Sequence, residues 1–189
     1  MEIKTAQHEV RSVYLGGSVG QAVSSIIWLI SAMLGTWLST QSALIALTLG
    51  GVFIFPLTQL ILKITGHKAT LSKENPFSQL AVQVAFVAPL CLPLIGVIAS
   101  YNVNYFYPAF MVAVGVHYLP FMFLYGIREF GILGGILIGG GTLLMMIRHN
   151  LFITGGWFTA AILLIFAVVL WFVYQRENRK VFEKSSRGA

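Results

Sequence analysis

Charged residues are scarce in this chain of 189 residues: they make up 10% of it, and aspartate is absent altogether. A soluble domain usually carries about 25% charged residues. Because 57% of the residues are hydrophobic, the composition excludes a soluble globular protein and indicates an integral membrane protein. The absence of aspartate also excludes the carboxylate pairs of aspartyl chemistry.

Cysteine occurs once, at Cys91, which excludes an intrachain disulfide and a cluster of thiolate ligands. The N-terminal residues 1–12 also lack the features of a signal peptide, namely a basic region, a short apolar stretch and an A-x-A-like cleavage site. We therefore interpret the first apolar run as a retained membrane helix.

Long apolar runs, in contrast, are abundant. A helix needs roughly 20 mostly apolar residues to cross a bilayer, and six stretches are long enough: 18–38, 43–63, 79–99, 106–127, 130–147 and 153–174. The sequence therefore predicts an all-α, polytopic bundle of six transmembrane helices. We expect a single integral membrane domain over residues 1–189, with the lipid bilayer as its surroundings.

The basic residues are distributed unevenly across the predicted membrane. Of the 12 lysines and arginines, all but Arg148 flank one side, and His149 follows Arg148 in a loop predicted to be solvated. Cytoplasmic loops carry the Lys/Arg excess, so both termini are predicted to face the cytoplasm. These membrane-flanking positions also explain the net charge of +6 without a nucleic-acid partner.

Two hexapeptides share a sequence pattern. GVFIFP (51–56) lies in the second predicted span and GVHYLP (115–120) in the fourth, and both read G-V-x-x-x-P. One interpretation is a bundle built from repeated two-helix hairpins, in which His117 corresponds to Phe53. The other is coincidence, because Gly, Val and Pro are all common in membrane helices.

Glycines recur every four residues in the fifth span, at Gly131, Gly135 and Gly139. Small residues at this spacing allow the close backbone approach that holds helices together in lipid. We therefore predict a helix-packing face here. Its partner is either another helix of the same chain or a second protomer, which would make the protein a homo-oligomer.

His117 is unusual because ionisable groups inside a bilayer are costly and mark candidate functional sites. We predict that His117, Tyr118, Gln59 and Gln83 line a polar cavity. The cavity would form where the second, third and fourth spans kink at prolines. Further polar residues predicted to approach it are Gln21, Ser24, Ser31, Thr58 and Tyr125. In the alternative interpretation, His117 bonds a carbonyl freed by a proline and serves packing alone.

Three classes of function remain open. Uncharged polar residues, prolines and a possible repeat favour binding or transport of a small solute or of protons. A non-catalytic accessory or assembly subunit of a membrane complex is the alternative. A membrane-embedded enzyme is less favoured, because metal chemistry needs clustered ligands. We therefore predict no catalytic, metal or cofactor-binding residue. GGSVG (16–20) fits the G-x-S-x-G nucleophile motif, but it opens a membrane helix.

The chain resembles an uncharacterised bacterial family of small six-helix integral membrane proteins, classed as a domain of unknown function. The residues that carry the resemblance are YLGGSVGQAVSSIIW (14–28), GGVFIFP (50–56), YFYPAF (105–110) and GVHYLPFMFLYGIR (115–128). The resemblance implies a six-helix bundle in a bacterial cytoplasmic membrane. It implies no activity and no site residues.

Overall fold

The computed structural model describes the backbone of residues 1–147 and 152–187, and the side chains of these residues as far as Arg179. Within these ranges the chain forms helices and turns, with no strand. Arg148 and His149, for which a solvated outer loop was predicted, lie outside the described residues.

Eight α-helices follow one another along the described part of the chain: α1 (Ile3–Val13), α2 (Ser18–Trp37), α3 (Thr40–Ile64), α4 (Ser78–Leu90), α5 (Leu92–Tyr101), α6 (Phe106–Tyr125), α7 (Glu129–Met146) and α8 (Thr154–Arg187). They provide six segments long and apolar enough to cross a membrane, with α4 and α5 together forming the third. The predicted all-α bundle with six long apolar helices is therefore confirmed.

The third segment is broken at Cys91, whereas the sequence suggested one kinked helix. The break lies between Pro89 and Pro93, and Pro93 occupies one of the first two positions of α5. A proline has no amide hydrogen to donate and clashes with the preceding turn, but it suits the first turn of a new helix. Two half-helices therefore replace one continuous span.

Helix α1 lies outside the six predicted spans. Its apolar residues Ala6, Val10 and Val13 are buried, and their spacing of four and three residues places them on one face. The turn into α2 uses Gly16 (φ +66°) and Gly17 (φ +85°), a left-handed backbone that favours glycine. A methyl group on Gly17 would also lie 2.7 Å from a ring carbon of Phe130. This turn folds α1 back onto the bundle.

Contacts of α1 gather several polar segments at one end of the bundle, which we call the polar end. Arg11 forms a two-bond ion pair with Glu177 of α8, at 2.6 and 2.7 Å. Glu9 accepts hydrogen bonds from the backbone amide of Ser72 (2.7 Å) and the side-chain amide of Asn75 (2.8 Å). The N-terminal helix, the α3–α4 loop and the end of α8 therefore share this end.

The closest packing of α7 uses glycines other than the predicted ones. Gly134 faces Gly115 of α6, and a methyl group on either would lie 2.8 Å from the carbonyl oxygen of the other. Gly135 and Gly139, in contrast, have no described atom within 4 Å of such a methyl group, and Gly131 meets Met122. At positions 135 and 139, the predicted face therefore points away from this chain.

The helix pairing follows the first proposed hairpin, α2 with α3, whereas the most extensive contacts of α6 and α8 lie outside their proposed hairpins. Helix α6 packs mainly against α7, and α2 packs against both α3 and α8. Phe53 is an exposed residue on α3, whereas its counterpart His117 is partly buried on α6. The two hexapeptides thus lie in different surroundings, and their common origin stays a prediction.

Candidate solute-binding cavity

A cavity of about 340 Å³ lies between α2, α3, α4 and α6, in the half of the bundle nearer the polar end. Such a volume falls in the range of about 300–1,000 Å³ typical of small-molecule sites. Most of its wall is apolar and aromatic. Its polar residues are Tyr14, Gln21, Ser24, Thr58, Gln59, His117, Tyr118 and Tyr125. None of the described residues that line it is a Lys, Arg or Glu.

His117 lines this cavity from the middle of α6. Its ring packs against Phe121, with 4.8 Å between ring centroids, and against Tyr118, with 5.4 Å. Its Nδ1 atom is buried and has no hydrogen-bond partner among the described residues. The ring also interacts with the backbone of Val84, so it links α6 to α4 while its Nδ1 atom stays unsatisfied within the described residues.

Gln21 is a second buried polar residue of the cavity wall. Its side chain is 3% exposed, and its Oε1 atom has no hydrogen-bond partner within the described ranges. The hydroxyl group of Tyr118 interacts with the side chains of Gln21 and Ser24. Helices α2 and α6 thus bring a carboxamide, two hydroxyl groups and an imidazole to one cavity.

The two glutamines predicted from the sequence have different positions. Gln59 lines the cavity from α3, where its side chain interacts with the hydroxyl group of Tyr14. Gln83 is exposed and does not line the cavity. The cavity face of α4 carries Ala81 and Ala85, four residues apart, whereas Gln83 lies two residues from each and so projects from the opposite face. Its predicted place in the cavity is therefore corrected.

The prolines also divide into two groups. Pro56 and Pro89 line the cavity, as do Val52 and Ala85, the residues four positions earlier whose carbonyls lose a helical donor. Pro120 is exposed on α6 and lies outside the lining. Kinks in the second and third predicted spans thus border the cavity, whereas the kink expected in the fourth does not.

Ser31 was expected near His117 but belongs to a separate buried network. Its hydroxyl group donates to the carbonyl oxygen of Ala43 at 2.8 Å and lies 2.7 Å from the hydroxyl group of Tyr107. This network ties α2 to α3 and α6 through satisfied hydrogen bonds. Its hydroxyl groups are therefore satisfied, whereas Gln21 Oε1 and His117 Nδ1 have no partner within the described ranges.

Helix α1 is bound to the polar end of the bundle, beside the part of the cavity wall that Tyr14 and Tyr125 form. Arg11 donates to the carbonyl oxygen of Tyr125 at 2.5 Å, and Gln7 donates to that of Phe123 at 2.6 Å. These bonds satisfy carbonyls at the end of α6, which lack helical partners. On the other side of α1, the bond from the Ser72 amide lowers the pKa of the Glu9 carboxyl group.

The comparisons with known proteins identify the family. A family model described as "Family of unknown function (DUF7010)" matches residues 3–173. The chain belongs to this family. No curated protein and no solved structure is similar enough to count as a match.

The function of this family is unknown, so membership does not indicate what the cavity binds. The chemistry that the cavity allows follows from its own residues. Among the side chains that the structure describes, no three His, Cys, Asp or Glu residues come together as metal ligands would. The cavity combines hydrogen-bonding groups with a large apolar wall and no formal charge. Such a site suits an uncharged molecule that carries both polar and apolar parts.

Proposed function

We propose that this protein binds a small uncharged solute in the cavity and carries it through a six-helix bundle in a bilayer. The observation that carries the proposal is that two residues in the wall of one cavity, Gln21 and His117, each have a buried polar atom without a hydrogen-bond partner among the described residues, Oε1 and Nδ1. A buried polar group left unsatisfied costs about 1–3 kcal/mol. A rotation of these two side chains toward the cavity would allow a ligand to bond both atoms and recover that energy.

The absence of charged residues in the described lining supports an uncharged solute. An ion inside the bilayer needs an opposite charge or a hydrated path. The cavity wall instead offers an amide, hydroxyl groups and an imidazole, which bind neutral donors and acceptors. Proton conduction through His117 is part of the same proposal and is tested alongside solute binding.

The proposed setting is a bacterial cytoplasmic membrane with both termini in the cytoplasm. The skew of basic residues supports this orientation, as does the meeting of α1, the α3–α4 loop and α8 at the polar end. We propose a non-catalytic role, because the predicted spans contain one histidine and one cysteine, His117 and Cys91, and these are on different spans.

The exposed glycine face favours a second candidate function, that of an accessory or assembly subunit. Gly135 and Gly139 are exposed on α7 with open space beside them. A helix of a second copy or of another membrane protein would pack closely on such a face. This face lies apart from the cavity, so the two functions are separable by mutation.

The test uses protein in lipid nanodiscs and a series of short uncharged alcohols and amides. A bound ligand at ten times its Kd raises the free energy of unfolding by about 1.4 kcal/mol. We expect at least one compound to stabilise the wild type and the Gln83→Leu control, but neither Gln21→Leu nor His117→Phe. Flux of the same compounds and of protons is then measured in liposomes. Equal stabilisation and flux in all four proteins would refute the proposal.

A further inference from the structure

The wall of the cavity is incomplete on one side. Val52 and Phe55 on α3 and Phe86 on α4 all line the cavity, yet they are 47%, 42% and 56% exposed. A residue that faces both the void and the outside marks an opening. The cavity therefore opens sideways between α3 and α4, on a surface that acyl chains cover when the helices span a bilayer.

Helix packing explains the gap. Helix α3 packs mainly against α2, whereas α4 packs mainly against α6. Three of the five α4 residues that line the cavity are alanines, Ala81, Ala85 and Ala88, whose short side chains do not fill the space between the two helices. The opening therefore results from the sequence of α4 and from the way in which the helices pair.

A second cavity of about 350 Å³ lies farther along α3, toward the other end of the bundle. It lies between α3 and α5, and Leu44, Thr48, Leu92, Ile95, Gly96, Ala99, Ser100 and Phe106 line it. Leu92 lines both cavities and comes directly after the break at Cys91. We call the two cavities the inner and the outer cavity, and the two together, with Leu92 between them, the seam.

The two cavities differ in chemistry. Gln21 and His117 line the inner cavity, whereas the outer one is almost wholly apolar, with Thr48 and Ser100 as its hydroxyl groups. A molecule that fits both has an uncharged hydrogen-bonding head and an aliphatic chain. The head matches the inner cavity, and the chain matches the outer cavity.

We infer that the seam binds a single-chain neutral amphiphile, such as a long-chain alcohol or amide, which arrives from the bilayer between α3 and α4. The head bonds Gln21 and His117, and the chain passes Leu92 into the outer cavity. This inference rests on the proposed function, to which it adds the class of ligand and the side from which the ligand arrives.

The experiment uses a dodecanol analogue with a photoreactive diazirine at the end of its chain, and protein in nanodiscs. Crosslinked residues are located by mass spectrometry. We expect labels on Leu44, Ile95 or Ala99, and we expect unlabelled dodecanol to compete, whereas dodecane and dodecylammonium do not. A dodecane analogue that labels the same residues equally well would overturn the inference, since any acyl chain would then fill the seam.

Two variants test whether the aliphatic chain passes Leu92 into the outer cavity. Leu92→Trp enlarges the residue shared by both cavities, so outer-cavity labelling should be lost. Leu94→Trp makes the same change at a residue that is 62% exposed and lines neither cavity, so labelling should persist. If Leu92→Trp does not fold, Ala99→Leu narrows the outer cavity from α5 instead. Unchanged labelling in the folded variant would contradict the path.

The short-chain assay separates this inference from the proposed function. If butanol stabilises the protein through Gln21 but the long-chain analogue never labels the outer cavity, the inner site stands and the seam is refuted. If neither compound class binds, both ideas fail together.

Discussion

The contact between α6 and α7 provides a sharp test, because neighbouring glycines on α7 face opposite environments. A methyl group on Gly134 would lie 2.8 Å from the Gly115 carbonyl oxygen and 3.1 Å from Leu119 Cδ2. The same group on Gly135 would meet no described atom within 4 Å. Gly134→Ala and Gly135→Ala thus make the same chemical change with opposite steric consequences.

The expected difference follows from two opposing terms. Both variants gain about 1 kcal/mol of helix propensity, since alanine replaces glycine inside a helix. Gly134→Ala alone pushes α7 away from the backbone of α6, and overpacking of this kind costs about 1–3 kcal/mol. The shared term cancels, so Gly134→Ala should be about 1–3 kcal/mol less stable than Gly135→Ala.

Reversible unfolding in mixed micelles, titrated with a denaturing detergent, measures this difference. Gly134→Ser is a second probe of the same contact and should also destabilise. Equal stability of Gly134→Ala and Gly135→Ala would refute the packing argument. If Gly135→Ala is the less stable of the two variants and also shifts an oligomer toward the monomer, then the predicted glycine face packs on a second copy.

Three further predictions concern the polar end and the topology. Glu177→Gln breaks the partly exposed Arg11–Glu177 pair (side chains 14% and 30% exposed) and should lower the free energy of unfolding by about 1–2 kcal/mol. A double-mutant cycle with Arg11→Met measures the coupling between the two side chains, and a coupling near zero would contradict the prediction. Because the pKa of Glu9 is lowered in the folded protein, its ionised carboxylate adds to the free energy of unfolding at pH values above the ordinary pKa of a glutamate. This contribution disappears as the pH falls through the lowered pKa. Glu9→Gln should therefore flatten the acid limb of the pH–stability curve, and an unchanged limb would refute the role of Glu9. A reporter fused after Ala189 should be active in the cytoplasm, whereas one inserted at 101–105 should not, and the reverse pattern would overturn the orientation.

The long apolar helices were predictable because span length follows directly from bilayer thickness. Helix α1 was missed, although its signal was present: Ala6, Val10 and Val13 recur at helical spacing in a segment too short and polar for a span search. The break at Cys91 was also signalled, by Pro89 and Pro93. Two prolines four residues apart remove enough backbone bonds to divide a helix, and the sequence interpretation treated them as kinks.

Facing direction was harder to predict than position. His117, Tyr118 and Gln59 line the cavity, whereas Gln83 does not. Helix α4 is apolar on nearly all sides, so its sequence does not distinguish the inward face by hydrophobicity. The inward face instead carries alanines at four- and three-residue spacing. Small residues had been interpreted as packing surfaces alone, and here they leave the space that forms the cavity.

The polar end of the bundle and the side opening between α3 and α4 differ in how they are closed. This difference bears on the route that a ligand would take. Next to the polar end, α1 is held by the Arg11–Glu177 pair and by bonds to the carbonyls of Phe123 and Tyr125. Release of α1 would expose charged and polar groups that are now paired. The gap between α3 and α4 requires no bond to break, because its edges are Val52, Phe55 and Phe86. The proposed entry of a neutral amphiphile through the side of the bundle therefore breaks none of these bonds, whereas entry through the polar end would require their release.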